Sequence, residues 1–239
     1  MDFLIKIVNQ ELKNYYLLRS FLNMSGLLKI RKIITGPLMT NTIILSSEGE
    51  CVVIDAGGEQ GKIIEDMKMN KLHPKAIIAT HGHFDHVLGV GQLQEKYGIP
   101  LMIHEKDIDM MNQSPSHLEM FGIREKFHPP SIVETLKGNR KLRIGNHDVE
   151  IVETPGHTQG SLSVIGNGFI LTGDTLFKLS VGRTDIGGNQ EQLVSSIKYL
   201  ISFPESTKIY PGHGETSDLR FEILNNVYCR NVMDRNSLT

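Results

Sequence analysis

The 239-residue sequence predicts an α/β protein built as a four-layer αββα sandwich. Three observations carry this. Short, β-branched apolar runs open each half of the chain. A helical pattern follows them in each half. No intervening stretch is rich enough in Gly, Ser or Pro to act as a linker. A doubly wound parallel sheet would alternate single strands with helices from the start, and meander strands early in each half imply antiparallel or mixed pairing instead. Hydrophobic residues make up 39% of the chain and charged residues 22%, which suits an ordinary globular domain.

The elements follow in order. Residues 1–23 read as an extension ahead of a single domain over 24–239. Leu4, Val8, Leu12 and Tyr15 have helical spacing, but Lys6, Gln10, Glu11 and Lys13 interrupt any signal-peptide core. An amphipathic docking helix is one reading, and a loosely attached segment is the preferred one. A chain starting at Met24 is then expected to fold and stay active. Residues 27–36, 41–47 and 51–57 read as three meander strands, and 59–70 as a helix. Residues 75–80, "KAIIAT", form a continuous apolar run, the mark of a buried strand. A helix over 87–97, a strand over 100–103 and a short helix over 105–112 come next. Residues 113–140 read as an irregular crossing segment or lid, with Pro115, Pro129 and Pro130 as breakers. Strands are then predicted at 141–144, 148–154, 161–166, 168–173 and 208–212. A helix over 189–201 is capped by Asn189 and closed by Pro204. The tail after His213 is long enough for one helix.

Bulk properties exclude several classes. A net charge of −2 without a long basic run offers nothing to a nucleic acid. No apolar run approaches the roughly 20 residues that span a bilayer. Cys51 and Cys229 read as reduced thiols of a cytoplasmic protein. Nothing in the sequence sets the oligomeric state.

The stretch "THGHFDH", residues 80–86, concentrates three of the ten histidines. His81 and His83 follow a buried strand, and residues i and i+2 of extended chain face one side. Gly82 between them lets the backbone bend. Asp85 and His86 fall where the chain turns into a helix, so they point toward a second position. Later strands end the same way: an apolar run, Gly, then a ligand-type residue. These are His157 in "ETPGHTQGS", Asp174 in "ILTGDTLF" and His213 in "IYPGHGET". Five His and two Asp are too many for one tetrahedral ion and suit two divalent ions sharing a carboxylate. Asp174 is the natural bridge. The absence of Cys from the set points away from structural zinc. His73, His104, His117, His128 and His147 read as solvated loop residues.

The order "THGHFDH", "GHTQGS", "GDTLF", "PGHGE" resembles the metallo-β-lactamase superfamily over residues 27–215. The resemblance implies an αββα sandwich. It assigns His81, His83 and His157 to one metal ion, and Asp85, His86 and His213 to a second, with Asp174 bridging. Asp85 and Asp174 then have catalytic roles, and the two ions are zinc, iron or manganese. Within the superfamily the chain is most similar to compact glyoxalase II-like hydrolases, which cleave thioesters such as S-lactoylglutathione. The commonest zinc β-lactamases place Cys where Asp174 stands. The tRNA-processing nucleases usually carry a long basic arm not seen here. "VGRTDIGG" (181–188) matches a Gly-Arg-Thr-Asp stretch that mono-iron persulfide dioxygenases share with the compact hydrolases. Glyoxalase II proper has a C-terminal helical domain that this chain lacks room for, and a Lys and Tyr near the position of Arg183. Arg183 reads either as a contact for a substrate carboxylate or as the partner of Asp185. The expectation is a binuclear hydrolase of a small-molecule thioester. The alternatives are a persulfide dioxygenase and a metal-binding protein without catalysis.

Overall fold

The computed structural model describes residues 27–236, so the predicted extension and Met24 lie outside the described residues. The first sheet contains β1 (Lys29–Thr35), β2 (Thr40–Ser47), β3 (Glu50–Ile54), β4 (His73–Ile78), β5 (Leu101–His104) and β6 (Val133–Leu136), in that spatial order. β1 to β3 form the predicted antiparallel meander, and β3 to β6 run parallel. The second sheet contains β7 (Arg140–Ile144), β8 (His147–Glu153), β9 (Leu162–Gly166), β10 (Phe169–Gly173), β13 (Lys208–Pro211) and β14 (Ser217–Asp218). A small hairpin, β11 (Leu176–Phe177) with β12 (Ser180–Val181), stands apart. Helices α1 (Gln60–Met69), α2 (Phe84–Val87), α3 (Val90–Tyr97), α4 (Ile108–Asn112) and α5 (Ser114–Met120) belong to the first half. α6 (Gln190–Leu200), α7 (Leu219–Asn225) and α8 (Val227–Asn236) belong to the second.

Side-chain alternation builds the four layers. In β2, Ile43 and Leu45 join the core between the sheets, while Ile44 joins the core under the first-half helices. β3 divides likewise, Val52 and Ile54 inward against Cys51 and Val53 outward, and β4 sets Ala76 and Ile78 against Ile77. Both faces are buried, so these strands read as continuous apolar runs. The second sheet contributes Ile151, Val164 and Leu171 to the central core. Its outer face packs Ile170 and Ile209 under Leu193, Ile197 and Leu200 of α6. Cys51 and Cys229 are free and buried in different cores, and burial pushes each thiol up to about 12.

Several sequence expectations need correction. The segment 113–140 is not irregular throughout. It holds α5 and the edge strand β6. Pro115 lies in the first turn of α5, where its missing N–H breaks no helical bond. β6 is four residues long with one buried side chain, too short and too exposed for apolar periodicity to show. The predicted helix over 87–97 begins earlier, at Phe84, and divides into α2 and α3 around Leu88 and Gly89. The hairpin β11–β12 was not expected. The tail after His213 forms two helices rather than one. Among the described residues, no helix is long and apolar enough to cross a membrane.

Candidate metal centre

The seven predicted side chains meet at the seam between the two sheets. His81, His83, Asp85 and His86 come from the segment after β4. His157 follows β8, Asp174 follows β10 directly, and His213 follows β13. They form three overlapping groups: His81, His83 and His157; His81, His86 and Asp174; and Asp85, His86 and His213. Within each group the candidate ligand atoms lie within 4.8 Å of one another. His81, Asp85, His86 and His157 are buried, and His83, Asp174 and His213 are partly exposed.

Three rings have their outer nitrogen occupied, which aims the inner one. His157 Nδ1 lies 2.7 Å from the Arg183 carbonyl, and His213 Nδ1 lies 3.1 Å from the Leu38 carbonyl. A carbonyl only accepts, so both Nδ1 atoms carry a proton and each Nε2 is turned toward the centre. His86 Nδ1 lies 3.0 Å from Asp55 Oδ2, an ion-pair contact without hydrogen-bond alignment. The inner nitrogens then face one another: His157 Nε2 is 2.9 Å from His83 Nδ1, and His86 Nε2 is 3.2 Å from His213 Nε2. Asp85 Oδ2 is 3.1 Å from His213 Nε2 and 3.5 Å from His86 Nε2. Asp174 reaches both sides, with Oδ1 3.5 Å from His86 Nε2 and Oδ2 3.7 Å from His157 Nε2. Asp174 Oδ1 and His81 Nε2 are buried with no hydrogen-bond partner. Ring nitrogens and carboxylate oxygens converging on one space, with orphaned acceptors among them, fit a bound cation.

The electrostatics divide along the same line. Burial, and then the surrounding imidazoles, hold His81 well below its ordinary value, and burial with His157 lowers His83 to about 3. These rings present bare nitrogens. Burial also opposes charge on His86, but the carboxylates of Asp55, Asp85 and Asp174 outweigh it and raise the ring to about 10. His213 is raised in the same way, against burial, by Asp85 and Asp174. Burial favours a neutral Asp85 too, yet His86 and His213 bring its carboxyl below the usual range. Burial leads on Asp174 and raises it. The second group thus attracts positive charge, and protons and metal ions compete for the same lone pairs.

Glycines make the close approach possible. A Cβ on Gly212 would lie 2.2 Å from Asp174 Oδ1 and 2.7 Å from His86 Cε1. A Cβ on Gly182 would lie 1.9 Å from the Asp174 carbonyl oxygen. The cleft over the centre has a cavity of about 190 Å³, and Leu38, Phe84, Met120, Phe121 and Ile186 form its apolar wall.

Arg183 lies at the rim, and its guanidinium is paired with Asp185, so the salt-bridge reading describes its side chain. Its carbonyl is what touches the ligand set. Two of the histidines read as solvated are not. His104 is 2% exposed and its Nε2 is 2.9 Å from Glu153 Oε1. His117, on α5, lines the cleft. Sequence reasoning also missed Asp55, which accepts from Thr80 N at 2.7 Å and Thr80 Oγ1 at 2.8 Å as well as approaching His86. The signal was present, since Asp55 follows an apolar strand as the ligands do.

An αββα sandwich with paired His/Asp clusters at the sheet seam defines a class of metal-binding fold. The chain belongs to the metallo-beta-lactamase superfamily, whose model matches residues 35–213. It is 36% identical over 201 residues to the probable metallo-hydrolase YqgX of Bacillus subtilis, covering 82% of this chain and 94% of that one. It is 30% identical over 194 residues to the hydroxyacylglutathione hydrolase GloC of Haemophilus influenzae, covering 78% and 91%. Among solved structures it is similar to TTHA1623 in a di-iron-bound form, with TM-score 0.76, 30% identity, and 83% and 99% of the two chains covered. The BLEG-1 B3 metallo-beta-lactamase gives TM-score 0.75 at 30% identity, covering 84% and 99%.

Proposed function

We propose that the protein is a binuclear metallohydrolase that cleaves a small-molecule thioester. The observation that carries this is the second group of ligands. Asp85, His86 and His213 gather as closely as His81, His83 and His157, and Asp174 reaches both. A mononuclear chemistry needs only one of the two. His81, His83 and His157 would hold one cation, Asp85, His86 and His213 the other, with Asp174 shared. Bound there, two cations supply a water whose pKa falls from 15.7 toward about 7, and positive charge opposite a developing oxyanion. A donor set of nitrogen and oxygen without sulfur suits zinc, iron or manganese, and the similar TTHA1623 holds two irons.

The chain's own side chains do the remaining work. Asp55 and the Arg183 and Leu38 carbonyls keep three imidazoles turned inward. The wall of Leu38, Phe84, Met120, Phe121 and Ile186 limits water and seats an apolar part of the substrate. A thiolate leaves without a strong proton donor. Besides the ligands, the ionisable lining of the cleft is His117 and Arg183. The kinship with GloC, a hydroxyacylglutathione hydrolase, supports a thioester as the substrate class.

Elemental analysis with an assay of free-thiol release from S-lactoylglutathione tests this. Two ions per chain and thiol release that a chelator abolishes and zinc, iron or manganese restores are expected. One tightly held iron with oxygen uptake on a persulfide would replace the reading by a sulfur dioxygenase. Bound metal without turnover would leave a binding protein, and faster hydrolysis of a β-lactam would move the chain toward the B3 enzyme it is similar to.

A further inference from the structure

One buried carboxylate beside the centre has no part in the reading above. Asp107 is 1% exposed. Its side chain does not cap the helix α4 that it precedes. All three of its hydrogen bonds go outward instead. Oδ2 accepts from the Gly82 N–H at 2.9 Å and from Thr158 Oγ1 at 2.6 Å, and Oδ1 accepts from the Gly160 N–H at 2.7 Å. Gly82 lies between His81 and His83 in sequence, and Thr158 follows His157. Each histidine of that trio is thus one peptide away from a residue bonded to Asp107.

We infer that Asp107 is the positioning residue for one of the two ion sites, a single carboxylate clamping the loop after β4 to the loop after β8. The two loops belong to different sheets, where the Leu162 N–H also donates to the Thr80 carbonyl at 2.7 Å and His83 Nδ1 faces His157 Nε2 at 2.9 Å. Asp107 clamps them through two backbone N–H groups and the Thr158 hydroxyl, and not through the rings. The approach is too close for side chains: a Cβ on Gly160 would lie 2.6 Å from Asp107 Oδ1, and one on Gly82 would lie 2.4 Å from the Asp107 carbonyl oxygen. Burying a carboxylate is expensive unless donors surround it. An apolar side chain in its place would leave the Gly82 and Gly160 N–H groups and the Thr158 hydroxyl without this acceptor. Here it aligns three donors on two ligand loops. Asp55 is its counterpart at the other group, through His86 and Thr80.

The inference rests on the two-ion reading, and the ion count of the unchanged protein tests that reading by itself. Asp107→Asn keeps the shape but turns one acceptor into an N–H₂ facing a donor. After equilibration against a fixed chelator, elemental analysis should find two ions in the unchanged protein, one in Asp107→Asn, one in His213→Ala and none in the double variant. The lost ion should bind 10–100-fold more weakly, the range for groups behind a ligand. Two ions in Asp107→Asn, or one in the double variant, would overturn the clamp. A role in folding alone would lower the melting temperature and leave the count at two. If Asp107→Asn does not fold by circular dichroism, Thr158→Val removes one bond of the three. It should weaken the same ion severalfold, and unchanged affinity would overturn the proposal. Should the unchanged protein hold a single ion, the two-ion reading falls, and Asp107→Asn must still weaken that ion for the clamp to stand.

Discussion

Asp174 is the residue at which the two ligand groups meet. Its oxygens lie 3.5 Å from His86 Nε2 and 3.7 Å from His157 Nε2, so a change there acts on both. Asp174→Asn keeps the size and removes the charge that two cations would share. It should lose at least one ion and most activity, about 100-fold or more by the measure of even indirect ligand changes. The fold should survive, because the apolar cores do not include Asp174. Metal content and thiol release check this, and two ions with near-normal turnover would refute the bridge. His104 is no neutral control, since it is buried against Glu153. His104→Ala should leave the ion count unchanged but lower stability by about 1–3 kcal/mol, seen in denaturant unfolding. His73, exposed at the start of β4, serves as the control. The same pair gives a pH dependence. Hydrogen bonds from His104 and from the Gly138 N–H hold the Glu153 carboxyl below its ordinary 4.5. A lowered carboxyl stabilises the fold above about pH 4.5, and that contribution disappears as pH falls through the folded value. Glu153→Gln should therefore flatten the fall of melting temperature between pH 5 and 3, and an unchanged slope would show the pair contributes nothing.

At the scale of elements, the site is a property of strand ends. β4, β8, β10 and β13 each deliver a first ligand within four residues of their last position, and the turns there are tight because backbone packs against side chain. Gly212 shows this best. Its added Cβ would meet Asp174 Oδ1 at 2.2 Å, His86 Cε1 at 2.7 Å and the Gly173 carbonyl carbon at 3.2 Å. Gly212→Ala should leave circular dichroism unchanged, cost an ion and slow turnover at least tenfold. An alanine variant with two ions and full rate would mean the turn yields freely. This repetition is also why so much was legible in the sequence. Strands buried on both faces write themselves as apolar runs, and each ligand follows one, so the seven stood out. What was not legible had no local pattern. β6 pairs along one edge of β5 with mostly exposed side chains, and α5 hides behind Pro115. The bonds of Asp107 reach residues 25, 51 and 53 positions away, so no spacing announces them. Asp55 did follow an apolar strand, but its partner His86 depends on how α2 turns.

At the scale of the whole molecule, the centre joins two half-sandwiches. His81, His83, Asp85 and His86 belong to the first sheet's loops, and His157, Asp174 and His213 to the second's. Asn41 N also donates to the Gly212 carbonyl at 2.7 Å, and Asn41 Nδ2 to Pro211 and Gly214, binding β2 to the His213 loop. A cation held by both halves binds the folded chain and not the unfolded one, so it must stabilise the entire domain. The core between the sheets contains Ile43, Leu45, Ile54, Ile78, Ile151, Val164 and Leu171 and does not depend on the ligands. The metal-free chain should therefore remain folded and melt in one transition. An ion free at 100 times its dissociation constant adds about 2.7 kcal/mol, worth roughly 5–11 °C in a domain of this size. Calorimetry before and after chelation should show that downward shift, reversed when metal is returned. A chelated chain that melts in two steps would mean the sheets need the ions to stay together. One that melts at the original temperature would mean no ion is held at the seam.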